Sequence, residues 1–593
     1  MSFDTESFGV ELVQSLTATL KEGWLHELQT GEPVAPEQYA QTCFAVAALR
    51  AGALTGDARL TEAGTAALEA YASVPEEQRG HGEFNSFAVS QLFRDSANER
   101  YELPLSADRL TKLIHYESGL RTQQGNNWLL LRAVSELELA ELGVRASSTL
   151  VPLWLSVARR WVQADGTIVD QPRFSVAPAE TPLTYHAKLT YLASILARHC
   201  SGWEEIALRG AKSLHRACLP DGESLYFGRS ENTIFGYACL LGACGILISQ
   251  GNSNRWLREL ADRTAGFLAT RFDPSEPSAL PQYGTVRGEA IDDYVSDTVY
   301  TAYAAMVLLD CPAVKRDRGR ERTNGTLDDV GISVRDGTDT AIGLATHGQY
   351  KLTKGRPDPR YAGMIPHALS LNGNPVLPGM PHVAWESNKL PFLPAIRINK
   401  AWYTPIIWNS LASTEDTLRG AGVFVPLPKG DTSRDNGSSS GLSDSVKGLA
   451  RRTFLPLVRD RYQKRPAAVD ASAQRAVHYL SAIDTLIIQT EVKTDRGTVI
   501  PSSYVLREGF RDVGVLQTNP PTKTSTEQIT GHRGPGSWVS AERPIEGSTR
   551  SVILLDPTNK LDGHNTSFQD GIRTTLYSGD DNYAVSLYER DAD

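Results

Sequence analysis

From residue 5 to about residue 310, apolar residues recur at helical spacing, and Gly, Pro and Asp turns interrupt them at fairly even intervals. The pattern predicts about a dozen helices, near 5–28, 37–55, 58–73, 85–95, 107–117, 127–142, 148–163, 182–199, 203–216, 232–250, 254–271 and 296–309. Turn sequences such as Thr55-Gly56-Asp57 and Leu219-Pro220-Asp221-Gly222 join neighbouring helices as antiparallel hairpins. Six successive hairpins can close into an (α/α) toroid or stack as an open solenoid. No strict sequence repeat is visible, which favours the closed ring.

The pattern changes near residue 313. Lys315 to Arg322 is a charged, basic run followed by Asn324-Gly325, and 313–327 reads as a solvated linker. From 328 to 593 the chain alternates polar and apolar positions and is rich in β-branched residues, as in Thr340–Tyr350, Trp402–Leu411 and His478–Val492. The expected fold class is therefore α+β multidomain. A toroid of about twelve helices over 1–312 precedes a large antiparallel β-sandwich over 328–593. Within the latter, 428–445 has the composition of a mobile loop and 447–465 that of a short basic helix.

Composition changes this picture little. The chain of 593 residues is 41% hydrophobic and 22% charged, normal for a globular protein too long for one core. A net charge of −9 argues against nucleic-acid binding, which needs a basic face, and no segment has the apolar length of a membrane span. The six cysteines form no CxxC pair and are expected as buried thiols, and no metal-ligand spacing or cofactor motif is present. The acidic start, Met1 to Glu6, lacks the features of a secretory signal, so a cytoplasmic location is expected.

The residues that look chosen for chemistry fall between Gly125 and Asn232. Asn126-Asn127-Trp128 opens an apolar helix, where one asparagine suffices as N-cap and the other is free to bind. Thr184-Tyr185-His186 opens another, after a long loop that starts at Asp165-Gly166-Thr167 and contains Asp170, Pro172 and Arg173. Gly228-Arg229-Ser230-Glu231-Asn232 precedes a third. There Arg229 offers a planar fork for a carboxylate, while Ser230 or Asn232 can cap the helix. His81 and Asn85, at another helix start, and Tyr294, in the loop before the last helix, are further candidates for the same cleft. His347, Arg356, Arg360 and His367 are candidates from the second domain.

A helical toroid followed by a β-sandwich resembles the polysaccharide lyases of the chondroitin/hyaluronate, heparinase II/III and oligoalginate groups, and toroid-plus-sandwich glucuronidase-like proteins. The chondroitin/hyaluronate type carries a similar Asn-Trp cluster, then a His and a Tyr after an Asp-Gly-Ser/Thr turn, then a Gly-Arg segment. This chain departs from it in that Tyr185 and His186 are adjacent. The resemblance implies a uronic-acid-containing polysaccharide or oligosaccharide as substrate and cleavage by β-elimination. Asn127 and Arg229 would neutralise the uronate carboxylate and Tyr185 and His186 would serve as base and acid in either order. Asn126, Trp128, Asp165, Arg173, Glu231, Asn232, His81, Asn85 and Tyr294 would contact substrate.

That chemistry has a physical demand. The proton removed lies beside a carboxylate, so the site must stabilise enolate-like charge while a base takes the proton and an acid meets the leaving oxygen. Hydrolysis is the alternative and needs two carboxyl groups, for which Asp165, Asp170, Glu231, Asp292 and Asp293 are available. A third reading is a non-catalytic glycan-binding protein that stacks sugars on Trp128, Trp385 and Trp402.

Overall fold

The computed structural model describes residues 3–116, 125–170, 181–283 and 296–312, and beyond them mainly the strands between residues 325 and 589. The chain divides into two compact units with the boundary after Val330. Among the described residues the first unit holds twelve α-helices: α1 Thr5–Thr17, α2 Ala40–Thr55, α3 Ala58–Ser73, α4 Gly82–Ala97, α5 Ala107–Thr111, α6 Asn126–Glu141, α7 Val151–Arg159, α8 Leu183–Leu196, α9 Trp203–Ala217, α10 Ile234–Ser249, α11 Arg255–Arg271 and α12 Asp297–Leu308. Three are shorter than their periodicity predicts. The helix expected over 5–28 stops at Thr17, and Glu22 and Gly23, both at positive φ, turn the chain into a bridge between Lys21 and Trp24. The helix expected over 107–117 ends at Thr111, and the one expected over 148–163 begins at Val151, ahead of Pro152, and ends at Arg159.

The even-numbered helices form a closed inner ring. α2, α4, α6, α8, α10 and α12 pack in that order, and α12 packs back on α2, so the arrangement is a toroid and not an open solenoid. An inner helix has neighbours on every side, and its sequence shows it: all fourteen residues of α8 are buried. The outer helices keep a solvent face. On α9, Trp203, Ile206, Ala207, Gly210, Ala211 and Leu214 point inward while Glu204, Glu205 and Arg209 are exposed.

Two of the connections into inner helices are built alike, a repeat the sequence alone does not display. At Asp165-Gly166-Thr167 and Asp221-Gly222-Glu223 the Asp side chain accepts the N–H two residues on, the Gly takes φ 94° or 93°, and the chain doubles back through Gln163 N–H to Thr167 O or Leu219 N–H to Glu223 O. In each case the Gly lies against a carbonyl of the following outer helix, at Arg209 or Arg263, where a Cβ would collide. Gly222→Ala is therefore expected to lower stability by about 2–4 kcal/mol, from strain and overpacking together. A urea unfolding midpoint equal to that of the native protein would show the turn to be more pliable than this.

A buried ion cluster ties the C-terminal ends of the inner helices. Arg50 of α2 donates through Nε to Asp95 of α4 (2.6 Å) and through a terminal nitrogen to the Met306 carbonyl of α12 (2.6 Å). Arg94 reaches Asp310 (2.7 Å) and Glu138 of α6 (3.5 Å), and Ser90 and Gln91 also donate to Glu138. Four of the six inner helices thus meet in one network.

In the second unit the described strands pair antiparallel throughout. The largest sheet has nine strands in the spatial order 498–500, 395–398, 401–413, 417–426, 471–480, 485–494, 548–556, 537–545 and 528–532. Ile332–Asp336, Thr340–Ala345, Ile365–Leu371 and Asn374–Leu377 pair in succession as part of another sheet, and Asn565–Ser567, Ile572–Gly579 and Asn582–Glu589 form a third. The loop expected over 428–445 and the helix over 447–465 lie outside the described residues, as does most of the 313–327 linker.

Candidate functional site

The inner helices run the same way, so all six N-terminal ends gather opposite the ion cluster, and each brings an aromatic ring. Tyr39 precedes α2 and stacks on Phe84 of α4 (4.2 Å between centroids), which meets Trp128 of α6 (6.1 Å) and Tyr303 of α12 (6.2 Å). Phe235 of α10 meets Tyr300 of α12 (4.7 Å), Tyr303 (5.8 Å) and Tyr185 of α8 (6.1 Å). His81 lies 5.8 Å from Trp128, at a left-handed φ of 47°. These rings pack on one another and are buried, except Trp128 and His81, which keep partial exposure. The six helix ends add partial positive charge, about half an elementary charge each.

Within this belt, Asn126 and Asn127 occupy the first turn of α6, and neither caps it. The cap comes from a distant loop: the Asp170 carbonyl accepts the Asn126 N–H (2.6 Å) and the Asp170 carboxylate accepts the Asn127 N–H (3.2 Å). Asn126 Nδ2 donates to Val169 O (2.6 Å), which fastens that loop and commits Asn126 to structure. The same Asp170 oxygen accepts from Asn127 Nδ2 (2.5 Å), and Asn127 Oδ1 accepts from Lys188 Nζ (3.4 Å). An ammonium can only donate, so charged Lys188 holds the amide in one orientation with a second Nδ2 hydrogen left over.

Burial raises the Asp170 carboxyl above its ordinary value, against the pull of Asn127, Lys188 and Arg229. Burial drives the Lys188 ammonium down to about 7, although Cys239, Asp170 and Cys43 favour its charged form. The sequence places neither residue at the centre of the site: Asp170 stands there only as a hydrolase candidate, and Lys188 is not among the candidates. The signal for Lys188 was available, since a lysine in Leu183-Thr184-Tyr185-His186-Ala187-Lys188-Leu189 sits on a helix with no solvent face.

The turn over 228–232 delivers Arg229. Gly228 takes φ 100° against Pro182, and Ser230 and Asn232 hold left-handed φ values of 56° and 52°, a strained conformation for residues with a Cβ. Leu183 N–H donates to Phe227 O (3.1 Å) and Thr184 Oγ1 to Ser230 O (2.8 Å), which locks the start of α8 to the turn. The guanidinium of Arg229 consequently lies over the Tyr185 ring, 5.2 Å from its centroid. Its charge also acts on both Asp170 and Lys188.

Other expected residues have structural work. His186 is fully buried; its Nδ1 accepts the Ile168 N–H (3.2 Å) and its Nε2 is in close hydrogen bond with Ser213 Oγ. With both nitrogens engaged and burial holding it near 4, His186 is a neutral strut between α8, α9 and the 165–168 turn, and the expectation of an acid or base there is corrected. Asp165 belongs to that turn. Asn85 is saturated by Thr42, Gly80 and His81 O, and Asn232 bonds Glu223 and Tyr237. Glu231 is buried in the Arg229 turn. His367 is buried in the second unit beside Ala362 O (3.4 Å), held near 4 by desolvation. Arg173, Tyr294, Asp292, Asp293, His347, Arg360 and Trp385 lie outside the described residues, as do the side chains of Arg356 and Trp402. Among the described residues no group of His, Cys, Asp and Glu is placed to hold a metal ion, and no helix is long and apolar enough to cross a membrane.

No protein-family model matches the chain, and no curated protein matches it in sequence. Solved structures similar to it include the chondroitin AC lyase of Streptomyces coelicolor A3 in complex with chondroitin sulphate, 12% identical, covering 97% of this chain and 84% of that one with a TM-score of 0.48. A glycosyl hydrolase family 88 structure from Bacteroides vulgatus is 10% identical and covers 52% of this chain and 99% of its own, TM-score 0.37. An unsaturated glucuronyl hydrolase specific for heparin is 12% identical and covers 52% and 95%, TM-score 0.37. At these identities and scores the reaction has to be read from this chain's own residues.

Proposed function

We propose that the protein is a glycan-processing enzyme that cleaves a uronic-acid-containing polysaccharide or oligosaccharide by β-elimination at the N-terminal face of the inner helical ring. The observation that carries this reading is that Asn127 bonds Asp170 and Lys188, that the charge of Arg229 acts on both of these, and that Arg229 lies over the Tyr185 ring, all at an aromatic belt where six helix ends favour an anion. Asn127 and Arg229 receive the carboxylate. The Tyr185 hydroxyl gives its proton to the leaving oxygen as the bond from the fourth carbon to that oxygen breaks, and the phenolate so formed takes the proton from the carbon beside the carboxylate, which closes the double bond and restores the hydroxyl. The positive charge of Arg229 over the ring lies where the transient phenolate is negative. Trp128 stacks on a sugar face.

Hydrolysis is the second reading, and one observation favours it: Asp170 is a buried carboxyl raised above its ordinary range, as a general acid requires. A panel of uronate glycans separates the two. Elimination yields a conjugated double bond with new ultraviolet absorbance and no water added to the product mass, and Tyr185→Phe abolishes it. Products one water heavier, without absorbance and insensitive to Tyr185→Phe, would replace elimination with hydrolysis.

A further inference from the structure

Two of the three residues after Arg229 hold left-handed φ values, so the turn that carries the guanidinium needs partners outside itself to keep its shape. Ser230 is held by its neighbours in the ring. Its carbonyl accepts from Thr184 Oγ1 of α8 (2.8 Å) and from Thr233 Oγ1 (2.9 Å), and its Oγ meets Tyr300 Oη of α12 (3.1 Å).

Asn232 is held from another direction. Tyr237 Oη of α10 accepts the N–H groups of Ser224 (3.3 Å) and Leu225 (3.4 Å), so its own hydrogen goes to Asn232 Oδ1 (2.7 Å). That settles the amide orientation and leaves Asn232 Nδ2 to donate to Glu223 Oε1 (2.6 Å), while the Asn232 N–H donates to Leu225 O (2.9 Å). Glu223 is almost wholly buried, and a buried carboxyl is costly to keep, so its place here asks for a reason beyond packing. It is the third residue of the Asp221-Gly222-Glu223 turn, whose backbone is closed by the Leu219 N–H on Glu223 O (2.8 Å). The matching turn at Asp165-Gly166-Thr167 has a threonine there. The carboxyl thus belongs to the one of the two turns that is bonded to the Arg229 segment.

Building on the uronate reading above, we propose that Glu223 is a positioning residue for Arg229. Through Asn232 it holds the left-handed backbone that presents the guanidinium over the Tyr185 ring, and so it sets the affinity for a sugar acid by acting on the turn rather than on the sugar. Without the acceptor, the Asn232 amide loses its orientation, φ at Asn232 relaxes toward the ordinary region, and Arg229 moves off the ring.

The test compares the affinity for methyl β-D-glucuronide and methyl β-D-glucoside by calorimetry, with melting temperatures alongside. The proteins are the native chain, Glu223→Leu, Glu223→Gln, Arg229→Met and the paired Glu223→Leu with Arg229→Met. Glu223→Leu should cut the glucuronide preference about tenfold or more, the share of a hydrogen bond to a charged group, with glucoside binding unchanged. Glu223→Gln keeps an oxygen to accept from Asn232 and should retain the preference. Because both residues act through one guanidinium, the paired change should lose no more than Arg229→Met alone, whereas a merely structural defect would add to it. If the native protein prefers glucuronide and Glu223→Leu keeps that preference, or the paired change loses the product of the two single losses, the role of Glu223 is overturned and the uronate reading stands. If the native protein binds both sugars alike, the uronate reading falls and this role with it. Where Glu223→Leu folds poorly, Glu223→Gln decides: a protein that melts with the native one yet loses the preference overturns the hydrogen-bond role.

Discussion

Asn127→Ala should reduce turnover of a uronate glycan by about 10²–10³-fold, the usual cost of removing one preorganised donor to a developing oxyanion. The loss should fall on kcat more than on KM, because the carboxylate carries more charge in the transition state than in the bound substrate. The amide is prepared for this. Lys188 and Asp170 fix its orientation, so the proposed elimination would require no reorganisation of it. Asn127→Asp, of nearly the same shape, should do at least as badly, because it sets a carboxylate beside Asp170 and opposes an anionic substrate. Steady-state kinetics on any glycan that responds in the panel supply the check. An Asn127→Ala enzyme within a factor of three of the native one would remove this residue from the chemistry.

Asp95→Ala should lower the stability of the helical unit by about 3–5 kcal/mol, the cost of leaving a buried charge without its partner. Asp95 accepts from Arg50 Nε (2.6 Å) and from the Tyr101 hydroxyl (2.9 Å), and Arg50 in turn holds the Met306 carbonyl, so its loss leaves a buried guanidinium with only the more distant Asp310 (3.8 Å) as counter-charge where α2, α4 and α12 meet. The paired change Arg50→Met with Asp95→Leu should recover most of the loss, since neither charge then remains. The same cluster sets the response to acid. Burial by itself would raise the Asp310 carboxyl, but Arg94 and Arg50 outweigh it and hold it well below the usual carboxylate range; Asp95 is lowered on the same balance. Carboxyls depressed in the folded state contribute stability above the unfolded pKa near 4, and that contribution disappears as pH falls through the folded values. Native Asp95 and Asp310 therefore stabilise the unit at neutral pH and release it only in strong acid. Thermal melts from pH 7 to pH 3 test both statements, and an Asp95→Ala melt indistinguishable from native would show that the cluster does not hold the ring.

Helical periodicity was enough to place eleven of the expected helices within a few residues of their centres, because apolar residues recur at helical spacing along each and turn residues bound them. The exception is the first, whose expected span ran well beyond Thr17; what cut it short was backbone conformation at Glu22 and Gly23, which periodicity does not register. In the site, Asn127, Trp128, Tyr185 and Arg229 were visible as polar or aromatic residues at helix starts. His186 looked equivalent to Tyr185 only because adjacent residues on a helix start are one letter apart in sequence; on the helix they diverge by about 100°, and one faces the belt while the other faces α9.

Taken alone, the sequence determined that a unit of about twelve helices precedes an antiparallel β unit and that its candidate chemistry-bearing residues cluster at helix starts, since burial patterns and turn residues are local properties. Only the tertiary structure decided that the ring closes through α12 on α2, that Asp170 caps α6 from a distant loop, and that Lys188 meets Asn127 across 61 residues of chain. Those are contacts between elements far apart in sequence, set by how six helices pack around one axis, and no local pattern encodes which side chains meet there.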